Sequence, residues 1–247
     1  MAPVGAEGAV GAWTPTTGFP VPLTGMAVVA AKAHLYAIDG LSGAQSSLRY
    51  APIGPDGNLG AWQDGPPLPI ALNGAEGAVV AVLGEHLYAT SGIGMISDRV
   101  FVCPLGTDGV PGAWTETLRM PQPRAAHRLA AAGNKLFAIG GIDGTQFGST
   151  RDTVYIGDVA PSGQVTAWRV GPPLPERRSF GAAAVVDGML VYLGGLSPFG
   201  DFAERLRADV FIAPLNQAGD PVAWRAAAPY PQATYGPGIA AAGRIVY

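Results

Sequence analysis

The chain has 247 residues, 48% hydrophobic and only 13% charged, with a net charge of −3 and an isoelectric point near 5.5; it is long enough to bury a large core in a single domain. That balance offers no electrostatic footprint for nucleic acid or an anionic membrane, and the one cysteine, Cys103, rules out an intrachain disulfide framework or a cysteine-based zinc site. No apolar run approaches the roughly 18 residues of a membrane span, and the opening Met1-Ala2-Pro3-Val4-Gly5 lacks the basic and apolar regions of a signal peptide.

In chain order, the first recognisable piece is Met1 to Val4, which aligns with Tyr50-Ala51-Pro52-Ile53 further on, followed by Trp13. A strand with an aromatic follows, His34-Leu35-Tyr36-Ala37-Ile38, then a second aromatic strand, Arg49 to Ile53. The loop Gly54-Pro55-Asp56-Gly57-Asn58-Leu59-Gly60 comes next and leads to Trp62. The same pattern then repeats. Gly77 to Leu83 is a run of small and β-branched residues, His86 to Thr90 carries Tyr88, Val100 to Cys103 carries Phe101, and Trp114 closes the unit. Lys135 to Ile139, Val154 to Ile156 and Trp168 make the next unit; Gly181 to Val186, Leu190 to Leu193, Val210 to Ile212 and Trp224 make another. Tyr247 aligns with Tyr36, Tyr88, Phe137 and Tyr192.

The five tryptophans are spaced by 49, 52, 54 and 56 residues, so one supersecondary unit is copied along the chain. Runs of β-formers bounded by Gly, Pro and Asp read as strands and hairpins, with no sustained helical period. Four antiparallel strands per unit predict an all-β propeller. Small first strands suit a crowded axis, and the aromatics and all five tryptophans read as packing between blades. The two ends are complementary: strands one and two from the carboxyl end could join strands three and four from the amino end. Four complete blades plus one composite blade, about five in all over a single domain 1–247, is the expected architecture. A piece of a six- or seven-bladed ring is the rival.

The double glycines of Phe137-Ala138-Ile139-Gly140-Gly141 and Tyr192-Leu193-Gly194-Gly195, each ending an aromatic strand and followed by a later aromatic and a tryptophan, resemble the kelch repeat. The likeness is to its loose bacterial form, grouped with the galactose oxidase central domain, and it covers essentially the whole chain. Asp39-Gly40 and Ser91-Gly92 keep only the second glycine, and the 12 or 13 residues from the third-strand aromatic to tryptophan exceed the kelch interval. The resemblance implies a β-propeller, and its bacterial relatives favour extracellular or surface display.

From the second-strand to the third-strand aromatic the intervals are 14, 13, 18 and 19 residues, whereas the other two intervals vary little. Length is therefore added in the loop between strands two and three, on the face shared with the link from strand four to the next strand one. Such one-sided insertion marks a binding face. The long loops, 140–152 and 194–209, carry Asp143, Phe147, Arg151, Phe199, Asp201, Phe202, Glu204, Arg205 and Arg207; the links add Arg124, His127, Arg177 and Arg178. Aromatics with charged groups on a concave rim suit a carbohydrate, a carboxylate or a peptide, and hence a protein or glycan ligand. Paired, solvated loop residues are the bland alternative.

Signals for catalysis are thin. A galactose-oxidase copper centre needs several His and Tyr ligands, but only His127 belongs to the candidate face, with His34 and His86 opposite, and Cys103 sits where small residues align. Loops such as Asp56 to Trp62 look similar to sialidase Asp boxes but lack the serine and read better as hairpin turns. The expectation is a non-catalytic binding module needing no cofactor or metal. A glycan-active enzyme on the same face, or a structural segment of a larger surface protein, are the alternatives.

Overall fold

The computed structural model describes residues 2–5, 7–22, 25–38, 47–69, 79–91, 95–242 and 244–247. Four antiparallel sheets follow one another along the chain. The first comprises β1 (Ala27–Ala31), β2 (His34–Ile38), β3 (Leu48–Pro52) and β4 (Gln63–Asp64); the second β5 (Val79–Leu83), β6 (His86–Thr90), β7 (Val100–Pro104) and β8 (Thr115–Glu116). The third comprises β9 (Arg128–Ala132), β10 (Lys135–Ile139), β11 (Val154–Val159) and β12 (Val165–Val170); the fourth β13 (Ala182–Val186), β14 (Met189–Leu193), β15 (Val210–Pro214) and β16 (Arg225–Ala226). A two-stranded sheet, β17 (Ala241–Ala242) and β18 (Ile245–Val246), completes the described sheets. Strands one of successive sheets, β1, β5, β9, β13 and β17, are neighbours around a common axis. This is a β-propeller of four-stranded blades.

Each blade interface is a separate core. Tyr36, Ile38, Tyr50, Leu87, Phe101 and Trp114 pack between blades one and two, Tyr88, Val102, Leu129, Leu136 and Tyr155 between two and three, and Phe137, Ile156, Leu190, Tyr192 and Phe211 between three and four. The second-strand rings also reach across. Tyr36 Oη donates to Gly109 O and Tyr88 Oη to Gly163 O, each at 2.7 Å, and burial pushes both phenols up to about 12. The receiving carbonyls belong to the hairpin between strands three and four of the following blade. There Asp56, Asp108 and Asn216 each accept from a backbone N–H two residues on, and Gly57, Gly109, Gly163 and Gly219 sit near φ +82. These are Asx turns, as the hairpin reading required.

The fourth strands are shorter than the repeat pattern implies. Trp168 lies within β12, but Trp62, Trp114 and Trp224 stand just before β4, β8 and β16. Pro52, Pro104 and Pro214 close the third strands of those three blades and have no N–H for the ladder; beyond them pairing resumes only as isolated bridges, Ile53–Leu59, Leu105–Pro111 and Leu215–Pro221. Asp158 occupies that place in the third blade, where β11 and β12 run on through a bulge at Asp158/Val159.

The termini also depart from expectation. Trp13 is 78% exposed, so it is not the packing residue that its alignment with the buried Trp114 implies. The β17–β18 sheet stays two-stranded, and the amino-terminal hairpin, closed by the Val4–Val10 bridge, meets it by another route. Gly8 lies against Ile245 and Tyr247 as Gly109 lies against His34. The hairpin thus stands to β18 as blade two stands to β2, on the adjacent blade position rather than within the same sheet.

The double glycines join one blade to the next. Gly141 N–H donates to Arg178 O (2.8 Å) and Gly195 N–H to Thr234 O (2.9 Å), with φ of +63 and +90 at Gly140 and Gly141 and +62 and +87 at Gly194 and Gly195. A β-carbon at Gly141 would stand 2.6 Å from Ala125 O and 2.8 Å from His127 N, and one at Gly140 would overlap Arg178 O. In blade two, Ser91 replaces the first glycine, and its Oγ donates to Arg124 O (2.7 Å); Asp39-Gly40 and Gly92 lie outside the described residues. Gly133, also at positive φ but with open space around it, isolates the backbone effect. Gly141→Ala is expected to destabilise by about 2–4 kcal/mol, and Gly133→Ala by about 1–2 kcal/mol; urea unfolding of the two variants checks the order.

Candidate functional site

The loops between strands two and three and the links between strands four and one share a face and are hydrogen-bonded together. Bridges join Ser97 to Arg124, Ala125 to Ile142, Ser179 to Leu196 and Arg207 to Thr234. Nearer the axis, Phe180 N–H donates to Ala126 O and Gly236 N–H to Phe180 O, each in the neighbouring link. Ala126 and Phe180 hold φ of +54 and +58, a conformation that L-residues keep only when their surroundings impose it. His34 and His86 lie on the other face, their rings against Gly109 and Gly163.

Of the link residues chosen from sequence, Arg177 is exposed, and Arg124, His127 and Arg178 are buried. Arg178 is 0% exposed: its guanidinium lies over the Phe211 ring (5.4 Å) and pairs with Asp209 Oδ2 (2.5 Å) and Glu176 Oε2 (2.8 Å). Arg124 occupies the equivalent place one blade earlier, over the Tyr155 ring (5.3 Å), donating to Tyr155 Oη (3.1 Å) and Pro123 O (3.0 Å). His127 is also fully buried; Nε2 bonds Thr90 Oγ1 at 2.8 Å, and Nδ1 has no partner. Burial, with Arg128 and Arg124 adding their charge, drives its imidazole down to about 3. These three side chains fasten blades and present no surface to a ligand.

In the loop 140–152, Asp143 Oδ2 accepts from Arg151 Nε at 2.6 Å and stands 3.6 Å from Arg124 Nη1, so the structure brings those three predicted residues together. The Arg151 hydrogen bond, with Arg124 behind it, holds the Asp143 carboxyl below its ordinary value. The backbone of Phe147 opens a short 3-10 turn, Phe147–Ser149.

The loop 194–209 contains the short helix α1 (Phe202–Arg205). Asp201 caps it in a capping box: its Oδ1 accepts from Glu204 N–H (3.2 Å) while Glu204 Oε2 accepts from Asp201 N–H (3.1 Å). Arg205 Nε donates to Gly200 O (2.6 Å) and Arg207 Nη1 to Glu204 O (3.0 Å). The loop thereby lifts Phe199 (71% exposed) and Phe202 (57%) into solvent. Phe202 meets Tyr235 edge-on at 5.9 Å, and Tyr235 rests on the buried Phe180 at 5.2 Å. Tyr235 and Phe180 were not among the predicted site residues. Their signal in the sequence is slight: an aromatic in the link, beside the place where Arg178 gives way to Thr234.

Comparison with known proteins adds the following. No protein-family model matches the chain. Over 114 residues, 43% of this chain, it is 30% identical to "Kelch-like protein terF" of Aspergillus terreus (strain NIH 2624 / FGSC A1156), and over 88 residues, 36% of the chain, it is 30% identical to "Beta-scruin" of Limulus polyphemus. The matches span only 24% and 10% of those relatives. Among solved structures, that of YjhT superposes with a TM-score of 0.64 at 15% identity, covering 91% of this chain and 76% of that one. With the blade pattern described above, the structural match supports a β-propeller fold, and less than half of the chain is similar to a protein named as kelch-like.

His127 links the site's packing to pH. Its folded value of about 3 lies below the ordinary value of 6.5, so below pH 6.5 the unfolded chain binds a proton that the folded chain refuses. Its contribution is fully present above pH 6.5 and is lost as the pH falls toward 3, at up to about 1.4 kcal/mol per pH unit. His127→Gln is expected to remove about 2 kcal/mol of the loss between pH 7 and pH 5, read from denaturant midpoints at the two pH values.

Proposed function

We propose that this kelch-repeat propeller is a non-catalytic binding module that recognises a protein or a glycan through the face built from the strand-two-to-three loops and the strand-four-to-one links. The observation that carries the reading is the aromatic group at the end of the longest loop. Phe199, just before a capped helix, and Phe202, at its start and beside Tyr235, stand mostly in solvent. A soluble domain gains no folding free energy from aromatics held so, and exposed rigid rings rimmed by charge are the usual anchors of recognition.

The buried arginines narrow the site. Arg124, Arg178 and His127 serve the blades, which leaves Arg205 and Arg207 with the aromatics on the working surface, and Arg151 with Asp143 beside it. Phe199 and Phe202 supply contact area at little cost in side-chain entropy, while the neighbouring charges orient the ligand.

Two variants test the reading: Phe199→Ser with Phe202→Ser, and Arg205→Ala with Arg207→Ala. Thermal unfolding is expected to move by less than about 4 °C, while affinity for a partner defined on a glycan array or in a purified protein panel falls at least about tenfold. Full binding by both variants would remove the site. Turnover of sialosides or galactosides, with or without copper, would replace a binding role by a catalytic one. Arg178→Ala is the contrasting control, expected to cost about 3–5 kcal/mol of stability because it strips a buried charge network.

A further inference from the structure

We infer that the cleft between blades two and three, on the face opposite the long loops, is a binding site for a neutral hydroxylated ring such as the sugar unit of a glycoside. The repeat shows why a cleft stands open there. Lys32, Gly84, Gly133 and Asp187 take the first place in the turns between strands one and two. Ala33, Glu85, Asn134 and Gly188 take the second, each accepting through its O the equivalent N–H of Ile53, Leu105, Val159 or Leu215. Two seams are closed by an ion pair reaching from the first place of one turn to the second place of the next. These are Lys32 with Glu85, between blades one and two, and Asp187 with Arg244 (2.9 Å), between blade four and the β17–β18 sheet. Lys32 and Asp187 hold a left-handed backbone to do so, at φ +48 and +47. Gly84 and Gly133 share that backbone at φ +58, a β-carbon on either would meet nothing within 4 Å, and neither has a side chain to reach the next turn. At the seam after Gly133 the Lys135 chain lies along the hairpin at Gly219 instead. At the seam after Gly84 the space stays open as a cleft of about 370 Å³.

The lining has the chemistry of a site. Leu83, Val159 and Pro161 give it apolar surface, and His86 and Asn134 bring polar groups to it. Among the described residues, neither the His86 ring nor the Asn134 amide makes a hydrogen bond, whereas His34, in the place of His86, meets Lys32 O through Nδ1 (2.8 Å). Tyr88 Oη and Val159 N–H are already committed, to Gly163 O and Asn134 O. Glu85 lines the cleft too, but Lys32 holds its carboxylate, so selection falls to His86 and Asn134. An amide offers donors and an acceptor, and a neutral imidazole one of each. A hydroxyl, itself donor and acceptor, matches them in either sense. An uncharged ring with hydroxyls along its edge and C–H groups on its face therefore suits both parts of the lining, and the volume holds about one or two such rings.

The test titrates isotope-labelled protein with methyl β-glucoside, methyl β-galactoside and methyl α-mannoside and follows the backbone amides by NMR. At least one of the three is expected to shift the amides of residues 83–86, 133–134 and 159–160 saturably, half-complete below about 50 mM. Gly84→Lys with Asn134→Glu writes the Lys32–Glu85 pair into this seam. It is expected to weaken that binding at least about tenfold while moving the unfolding temperature by less than about 4 °C. Asn134→Ala leaves the glycine turn alone; it is expected to weaken binding at least about threefold, and it decides the matter should the double variant not fold. Phe199→Ser with Phe202→Ser, on the opposite face, is expected to bind the glycoside as before. No saturable shift with any of the three glycosides, or undiminished binding by either cleft variant that folds, would overturn the proposal. So would shifts confined to the loops 140–152 and 194–209, binding lost with the Phe199 and Phe202 substitutions, or tighter binding of methyl β-glucuronide than of methyl β-glucoside.

Discussion

The structure depends on backbone hydrogen bonds passed from blade to blade around the axis. Each four-stranded sheet is complete in itself, and among the described residues the first strands touch those of the neighbouring blades, so the joints between blades decide whether the ring is one cooperative body. Gly141 to Arg178, Gly195 to Thr234, Phe180 to Ala126 and Gly236 to Phe180 are such joints. They lie in the crowded centre, where an unpaired N–H costs more than a made bond returns. The left-handed backbone at Ala126 and Phe180 is the local cost of aiming those groups, about 1–2 kcal/mol each. The glycines at 140, 141, 194 and 195 escape it. Loop length can change freely outside these joints, because the joints fix where each loop leaves and re-enters the ring.

Charge is spent in the same way. Only 13% of residues are charged, and several of the arginines lie over third-strand aromatics: Arg99 on Phe101, Arg124 on Tyr155 and Arg178 on Phe211. Stacking a weakly hydrated guanidinium on a ring, with carboxylates at its rim, satisfies a buried cation without a large desolvation penalty. Arg178 with Asp209 and Glu176 is the fullest case. Arginine density in the links is thus a property of the ring.

That use of arginine explains what the sequence made legible. The tryptophan period and the second- and third-strand aromatics gave the blades and the face on which the loops lengthen, since spacing survives translation into strands. Burial in the links did not show. An arginine in a polar loop reads as solvated, and only folding sets Arg178 over Phe211, 33 positions further along. The shortened fourth strands were visible in principle at Pro52, Pro104 and Pro214, but tryptophan is a strong strand-former and drew the prediction past them. Trp13 could not be distinguished from Trp114 by alignment, because its exposure reflects what stands beside it.

The two faces divide the work by chemistry. On one, Asx turns and glycines at φ near +82 lock hairpins against the second strand of the preceding blade; a side chain added at Gly109 or Gly163 would strike His34 or His86. Such turns tolerate almost no change in length. On the other face the joints lie inboard, and everything beyond them is free to lengthen. The helix α1 exists because 194–209 has enough residues to close a capping box at Asp201 and Glu204 without disturbing Gly195 or Arg207, which hold the joint beneath it. Rigid support below and a self-contained loop above let Phe199 and Phe202 stay exposed without loosening the blade.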